Sequence, residues 1–226
     1  MADTAVKKPA KLDFKKKTKR MDFEICGAKA TIVVRQYWAY TYTTKSGASA
    51  WTSKGKKKFH TEIEKIIHKA WCGKFILEVT GTSDFAKYVK GKKFTVYFDV
   101  DPKSSGAHWA VTAVKVPKGQ FNGSVVNWSQ QKMTLDTEDM NEVDKGGGPG
   151  VKQSGAGHEF GHALGNSKHA GASGHGDEYK DTSAYKAHKK SIMHSGMTLK
   201  KRHADYLVTE LNKMIPDTTF AVKSVK

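Results

Sequence analysis

The segment from 157 to 165 constrains this chain more than any other feature, and it reads Gly-His-Glu-Phe-Gly-His-Ala-Leu-Gly. Its two histidines, His158 and His162, are four positions apart, so a helix places both imidazoles on one face within reach of one ion. Neutral imidazole binds Zn²⁺ at about 2.0–2.1 Å. Glu159 follows the first histidine directly, and from there it can orient a water molecule and accept its proton. The alternative interpretation is a pair of surface histidines on an ordinary helix.

The histidine pair alone does not complete a catalytic zinc site, because such a site takes three protein ligands and leaves one position for water. Gly165 allows the chain to turn back towards the pair, so we expect the third ligand among the polar residues that follow. The candidates are His169, His175, Asp177 and Glu178. On ligand chemistry alone, the imidazoles are favoured.

The residues before this segment alternate apolar and polar side chains over several short stretches, which predicts strands. The predicted strands cover 31–34, 37–42, 75–80, 94–100, 109–116 and 124–129. A turn is predicted over 54–58, and a helix from Thr61 to Gly73, because apolar residues recur on one face between those two positions. A glycine-rich loop over 145–150 ends this part of the chain.

The second part of the chain reads differently. A helix is predicted from about residue 152 to Leu164, then a loop rich in glycine, serine and histidine over 166–176. A last helix is predicted from about residue 201 to Pro216, which cannot continue it. We therefore expect a basic flexible arm over 1–20 and a single domain over 21–226, with a strand-rich part, 21–165, and a smaller part, 166–226.

The net charge of +17 over 226 residues favours anionic partners, such as nucleic acid, an anionic membrane surface, an acidic cell-wall polymer or an acidic protein. A solvated lysine surface is the alternative. No apolar run approaches the roughly 20 residues of a membrane span. Residues 1–20 lack the apolar stretch of a signal peptide, so we expect a cytoplasmic location or export by a route that reads no such peptide. The two cysteines, Cys26 and Cys72, are predicted to be buried thiols.

The segment from His158 to Gly165 resembles the active-site motif of the metzincin metallopeptidases, HExxHxxG followed by a third His or Asp. The segment 191–196, Ser-Ile-Met-His-Ser-Gly, resembles their Met-turn, in which a methionine, here Met193, underlies the zinc. The resemblance is strong at the residue level only over about 157–210. It implies an α+β fold of the zincin or metzincin type: a mixed twisted sheet with helices, an active-site helix, a Met-turn and a C-terminal helix.

The triplet 177–179, Asp-Glu-Tyr, more narrowly resembles bacterial zincin-type toxin and effector domains, in which the aspartate is the third zinc ligand. This resemblance implies Asp177 as third ligand, and we rank His169 second and His175 third. The chain departs from the metzincin pattern at Lys168, ten residues after His158, and over 167–176, which reads as an insertion.

Beyond the Met-turn-like segment, His203 is a candidate to reach the cleft and stabilise a developing oxyanion. Tyr179 and Tyr206 are candidates for the same role. The alternative for His203 is a surface residue in the first turn of the last helix.

These features predict a zinc-dependent metalloendopeptidase with Glu159 as general base, acting on a protein or peptide substrate. A peptidoglycan amidase or endopeptidase with the same zinc chemistry is the alternative, since the positive charge suits an anionic cell wall. A basic nucleic-acid-binding protein without catalysis is a third hypothesis, favoured by the charge and the aromatic stretch 37–42. The effector resemblance implies a secreted bacterial toxin delivered without a signal peptide, with an immunity or carrier protein as partner.

Overall fold

The computed structural model describes residues 9–171 and 175–226. The α-helices in these ranges are α1 (Ser53–Trp71), α2 (Asp84–Tyr88), α3 (Gly155–Ala163) and α4 (Asp205–Leu211). The strands are β1 (Asp13–Lys17), β2 (Asp22–Cys26), β3 (Thr31–Thr44), β4 (Phe75–Gly81), β5 (Phe94–Pro102), β6 (Trp109–Lys115), β7 (Val125–Asn127), β8 (Lys132–Asp136), β9 (Glu142–Asp144), β10 (Lys152–Ser154) and β11 (Thr218–Val225). Short 3₁₀ helices cover Thr137–Met140, Lys168–Ala170 and Lys201–Ala204.

One large mixed sheet organises the molecule. Its strands lie in the order β11-β4-β5-β3-β6-β8-β7, and the β1–β2 hairpin joins the first half of β3. Strand β3 is parallel to β5 and β6, whereas β11 is antiparallel to β4 and β7 is antiparallel to β8. A separate two-stranded sheet pairs β9 with β10. The predicted α+β class with a mixed sheet is therefore confirmed.

The long strand β3 combines two predicted strands, 31–34 and 37–42. Side chains along it alternate between buried and half-buried through Trp38, as expected of a strand with one face in the core. Gln36 is the polar member of the buried row. Its Nε2 donates to the carbonyl oxygen of Ala163 at 2.8 Å, so this strand holds the end of α3.

Helix α1 begins eight residues before the predicted start. Thr52 is its N-cap and accepts a hydrogen bond from the backbone N–H of Gly55, so the predicted turn over 54–58 is wrong. Lysines are good helix formers, and one glycine in the first turn costs only about 1 kcal/mol. The buried face of the helix ends at Trp71, whose Nε1 donates to the carbonyl oxygen of Gly157 in α3 at 3.0 Å.

The predicted flexible arm over 1–20 contains strand β1, which pairs antiparallel with β2. The ring of Phe14 packs edge-on against Phe85 at 5.3 Å between centroids. The ammonium group of Lys16 forms an ion pair with Glu210 in α4 at 2.8 Å. These contacts fix 13–17 to the domain, so the arm prediction is wrong for that stretch. Residues 1–8 lie outside the described residues.

The two predicted parts of the domain share the large sheet, because β11, from the C-terminal part, forms the strand at one end. It pairs along the whole of β4. None of the helices in the described ranges has the length and apolar character needed to cross a bilayer.

Candidate metal centre

Helix α3 carries the histidine pair and is buried among the aromatic residues of the core. Phe160 packs against Trp38, Trp71 and Phe98 with ring centroids 5.7–6.3 Å apart. The helix begins at Gly155, because residues 152–154 pair with β9 and Ser154 caps the helix by accepting from the N–H of Gly157. This packing fixes the orientation of the helix, and with it the face that bears the histidines.

The helix ends where the chain reverses at Gly165, which has a φ of +103°. A Cβ at this position would lie 2.6 Å from Cγ of Tyr206, so both the backbone angle and the close ring require glycine. The side chain of Asn166 then donates to the carbonyl oxygens of Gly161 and His203, at 2.9 and 3.1 Å. The turn therefore directs the following segment back towards the helix.

The two imidazoles face one another, with His158 Nε2 and His162 Nε2 3.2 Å apart. Nδ1 of His158 lies 2.7 Å from the carbonyl oxygen of Ile192, and Nδ1 of His162 lies 2.6 Å from that of Asn166. A carbonyl oxygen only accepts, so each Nδ1 carries the proton and donates it. In neutral rings both Nε2 atoms are then left with lone pairs that point into the same space.

Burial keeps both rings neutral. Burial and, to a lesser extent, the neighbouring His162 together lower the pKa of His158 to about 3. Burial also lowers the pKa of His162. The two Nε2 atoms are 3.2 Å apart, and their lone pairs repel each other unless a cation lies between them. Two ligands of a tetrahedral zinc ion, each about 2.0–2.1 Å from it, are about 3.3 Å apart, so the pair is at ligand spacing.

Asp177 is the acidic residue that the structure brings to this pair. Its Oδ1 lies 3.3 Å from Nε2 of His162, and its other oxygen pairs with the ammonium of Lys180. Burial acts to raise the pKa of Asp177, but Lys180 and His162 outweigh it, so the pKa is lowered and the group is ionised. A carboxylate oxygen and an unprotonated Nε2 face each other here, which is again an arrangement that a cation stabilises.

Within the two described ranges, no three His, Cys, Asp or Glu side chains surround one point as a complete metal cluster. The His158–His162 and His162–Asp177 pairs each have ligand spacing and share His162. Lys180 competes with an ion for the carboxylate of Asp177. The donor set thus fits a zinc ion in its chemistry and pairwise spacing.

The other three candidates for third ligand lie elsewhere, and Glu178 pairs with Arg202 and His203. His169 is exposed on a 3₁₀ helix, at the wall of the cavity that also reaches His162. His175 is buried in a different cavity beside Asp205, 4.0 Å from its carboxylate, and its Nε2 has no hydrogen-bond partner in the described part of the chain. Of the candidates considered, the structure brings Asp177 closest to the pair.

Glu159 is buried between the two cavities that flank the pair, with volumes of about 430 and 310 Å³. Its Oε2 has no hydrogen-bond partner among the described residues. Burial, with smaller contributions from Asp139 and Asp177 and against that of Lys145, raises the pKa of Glu159 to about 8. A buried carboxyl group with a free oxygen at a cleft is suited to hold and transfer a proton.

The segment 191–196 lies against α3. Met193 is fully buried, and its sulfur lies so close to Gly161 that a Cβ at the glycine would overlap it. Gln153, which the sequence did not single out, holds the segment in place. Its Nε2 donates to the carbonyl oxygens of Ile192, His194 and Gly196 at 3.0, 2.9 and 3.2 Å.

His203, predicted as an oxyanion stabiliser or a surface residue, is instead buried inside the fold. Its Nδ1 accepts from the backbone N–H of Lys200 at 3.1 Å, so its Nε2 carries the proton and donates to Glu178 at 3.0 Å. Arg202 also donates to Glu178, at 2.8 Å. Burial opposes ionisation of Glu178, but His203 and Arg202 outweigh it and lower its pKa to about 2. Both nitrogens of His203 are engaged away from the cleft.

Tyr206 and Tyr179, the other two oxyanion candidates, differ in whether they reach the cleft. The ring of Tyr206 packs against Trp128 with centroids 5.1 Å apart. Tyr179 is half exposed, lines both cavities, and lies with its ring centroid 6.0 Å from that of His158. Its hydroxyl is 3.5 Å from Oδ1 of Asp177. Of the three oxyanion candidates, Tyr179 is therefore the one that lies at the histidine pair.

Comparison with protein-family models, curated proteins and solved structures finds no match to this chain. The metzincin and effector resemblances accordingly stay predictions from the short motifs that carry them. The physical basis for a function is the site itself: two neutral imidazoles, an ionised carboxylate and a buried carboxyl group around one cleft.

Proposed function

We propose that this chain is a zinc-dependent metallopeptidase that hydrolyses peptide bonds of protein or peptide substrates. In this proposal His158, His162 and Asp177 hold the metal and Glu159 is the general base. The observation that supports it most directly is the pair of unprotonated Nε2 atoms 3.2 Å apart, each ring fixed by its Nδ1–H on a backbone carbonyl. Ligating histidines in metal sites are oriented in this way.

When bound, a zinc ion would supply Lewis acidity, which polarises a carbonyl group and lowers the pKa of water towards 7. Glu159 accepts the proton of the attacking water at its free Oε2 and delivers it to the leaving nitrogen. A bound cation would lower the raised pKa of Glu159, so that the carboxylate is ionised when it accepts the proton. In the proposal, the hydroxyl of Tyr179 donates a hydrogen bond to the substrate carbonyl oxygen as negative charge develops there.

The test is the substitution Glu159→Gln in zinc-loaded protein. Hydrolysis of casein should fall at least about 100-fold, because a general base contributes typically 10²–10⁴-fold. Zinc content should stay at the wild-type level, since Glu159 is not a ligand in the proposal. The matched control is Glu64→Gln, an exposed carboxylate on α1, which should keep full activity. Full activity of the Glu159 variant would show that the assigned mechanism is wrong.

Cell-wall peptides are the second candidate substrate for the same chemistry, because a net charge of +17 suits an anionic wall. Incubation of the zinc-loaded protein with purified peptidoglycan and, in parallel, with casein separates the two. Release of peptide fragments from peptidoglycan alone would favour the cell-wall hydrolase.

A further inference from the structure

The cleft beside Glu159 carries most of the large apolar side chains that the described residues expose. Among those residues, four large hydrophobic side chains are exposed, and three of them line the two cavities. They are Phe121, Val125 and Tyr179, with 54%, 57% and 50% of their surface exposed. Exposed apolar side chains that gather at one cleft mark a binding surface more often than scattered ones do.

At the same cleft, the negatively charged groups are buried or half-buried and the positively charged groups are exposed. The carboxylates that line it are buried or half-buried, and those of Asp136 and Asp139 are taken up by hydrogen bonds within the fold. The exposed Lys, Arg, Asp and Glu side chains on its wall are all lysines: Lys145, Lys168 and Lys180. An approaching molecule therefore meets positive charge at the rim.

Two of these lysines are available to a partner. Lys180 is paired with Asp177, but Lys145 and Lys168 form no ion pair in the described part of the chain. The ammonium of Lys145 lies 5.2 Å from the ring centroid of Phe121. This pair presents an aromatic face and a cation side by side, at the end of the larger cavity, which also contains His158 and Glu159.

We propose that the cleft selects acidic polypeptide segments that carry an apolar side chain close to the bond to be cleaved. The apolar side chain packs on Phe121, Val125 and Tyr179, and flanking carboxylates pair with Lys145 and Lys168. This inference rests on the proposed peptidase function and specifies its substrate class. An exposed ion pair contributes only about 0.2–1 kcal/mol, so selectivity arises from several flanking charges together.

The test uses quenched fluorescent peptides of ten residues with a central Phe, flanked by Glu, Gln or Lys. Zinc-loaded protein should cleave them in the order Glu, Gln, Lys, with kcat/KM about 10-fold higher for the Glu than for the Lys peptide. The ratio should shrink at 0.5 M salt, where charges more than a few Å apart are screened. Lys145→Glu should lower the ratio at least about 5-fold. Lys118→Glu, an exposed lysine that lines neither cavity, is the matched control and should leave it within about 2-fold.

The apolar part of the inference has its own pair of variants. Phe121→Ala should lower kcat/KM for the Glu peptide about 10-fold, because it removes a large contact surface at the cleft. Tyr97→Ala removes the fourth exposed side chain, which lies on β5 and lines neither cavity, and should have no effect.

A binding measurement separates this inference from the catalytic proposal. Zinc-loaded Glu159→Gln protein is titrated against the same peptides by fluorescence anisotropy and should bind them in the same order. Binding with a Glu preference, but no cleavage by the wild type, would support the substrate class and contradict the peptidase. Cleavage without preference, or a Lys145→Glu variant that changes nothing, would overturn the substrate class and leave the peptidase standing. Tighter binding of a labelled ten-residue oligothymidylate than of the Glu peptide would overturn the assignment to polypeptides.

Discussion

The buried carboxyl group of Glu159 makes the stability of the metal-free protein depend on pH. Its pKa is raised from 4.5 to about 8, mainly by burial. Because the folded value lies above the unfolded one, protonated Glu159 contributes stability that is complete below pH about 4.5 and is lost as the pH rises through about 8. The glutamine of the Glu159→Gln variant cannot ionise, so the free energy of unfolding of this variant does not contain the same fall with rising pH.

The magnitude follows from the two pKa values. Between these pKa values the unfolded chain ionises Glu159 while the fold keeps it protonated, which lowers the free energy of unfolding of the wild type by about 1 kcal/mol at pH 5 and about 3 kcal/mol at pH 7. The difference in free energy of unfolding between Glu159→Gln and wild type should therefore grow by about 2 kcal/mol over this interval. For a chain of this size, the Tm of Glu159→Gln minus that of the wild type should then increase by about 4–8 °C from pH 5 to pH 7.

Calorimetry or circular dichroism in EDTA measures both Tm values at pH 5, 6 and 7. The exposed Glu64→Gln variant is the control, and its Tm should differ from the wild-type Tm by the same amount at every pH. A Tm difference between Glu159→Gln and wild type that stays constant from pH 5 to 7 would refute the buried, partner-free placement of Glu159.

Three further variants test the frame around the site. Gly161→Ala should destabilise the fold by about 1–3 kcal/mol in denaturant unfolding, because its Cβ would overlap the sulfur of Met193; Gly55→Ala, in the first turn of α1, should be neutral or slightly stabilising. Gln153→Ala should lower the free energy of unfolding by about 1–3 kcal/mol, because the hydrogen bonds from its amide to three carbonyl oxygens are lost. Tyr179→Phe should lower kcat at least about 10-fold with unchanged KM and zinc content, because it removes one oxyanion donor.

Each of these expectations has a result that contradicts it. Equal stability of the two Gly→Ala variants would mean that α3 does not lie against Met193. An unchanged unfolding transition for Gln153→Ala would remove its role under the helix. A kcat at the wild-type level for Tyr179→Phe would exclude the hydroxyl from the reaction.

The sequence predicted the local geometry of the site better than the frame around it. Spacing alone places His158 and His162 on one helical face, and Glu159 beside them, because helix geometry is local. Gly165 likewise signals the reversal of the chain. The roles of Gln153 and of the buried Glu178 have no local signal, because each is defined by partners about 25–40 residues away.

The missed elements have similar causes. Strand β1 lies in a lysine-rich stretch whose composition is typical of a flexible arm, and only Phe14 and the distant Glu210 show why it pairs. Strand β11 follows the last helix. Its sequence alone does not indicate a strand, because its pairing partner is the distant strand β4. The start of α1 was placed late because Gly55 and its lysines look like a turn, although Thr52 provides a good cap.

The central claim is that one divalent ion is held by both imidazoles of α3, and the metal content of purified protein tests it most directly. Elemental analysis after zinc loading and dialysis should find one zinc per chain in the wild type and in His169→Ala. It should find almost none in His158→Ala or His162→Ala, and a reduced amount in Asp177→Ala. A wild-type protein without stoichiometric zinc, or histidine variants that keep it, would contradict the claim.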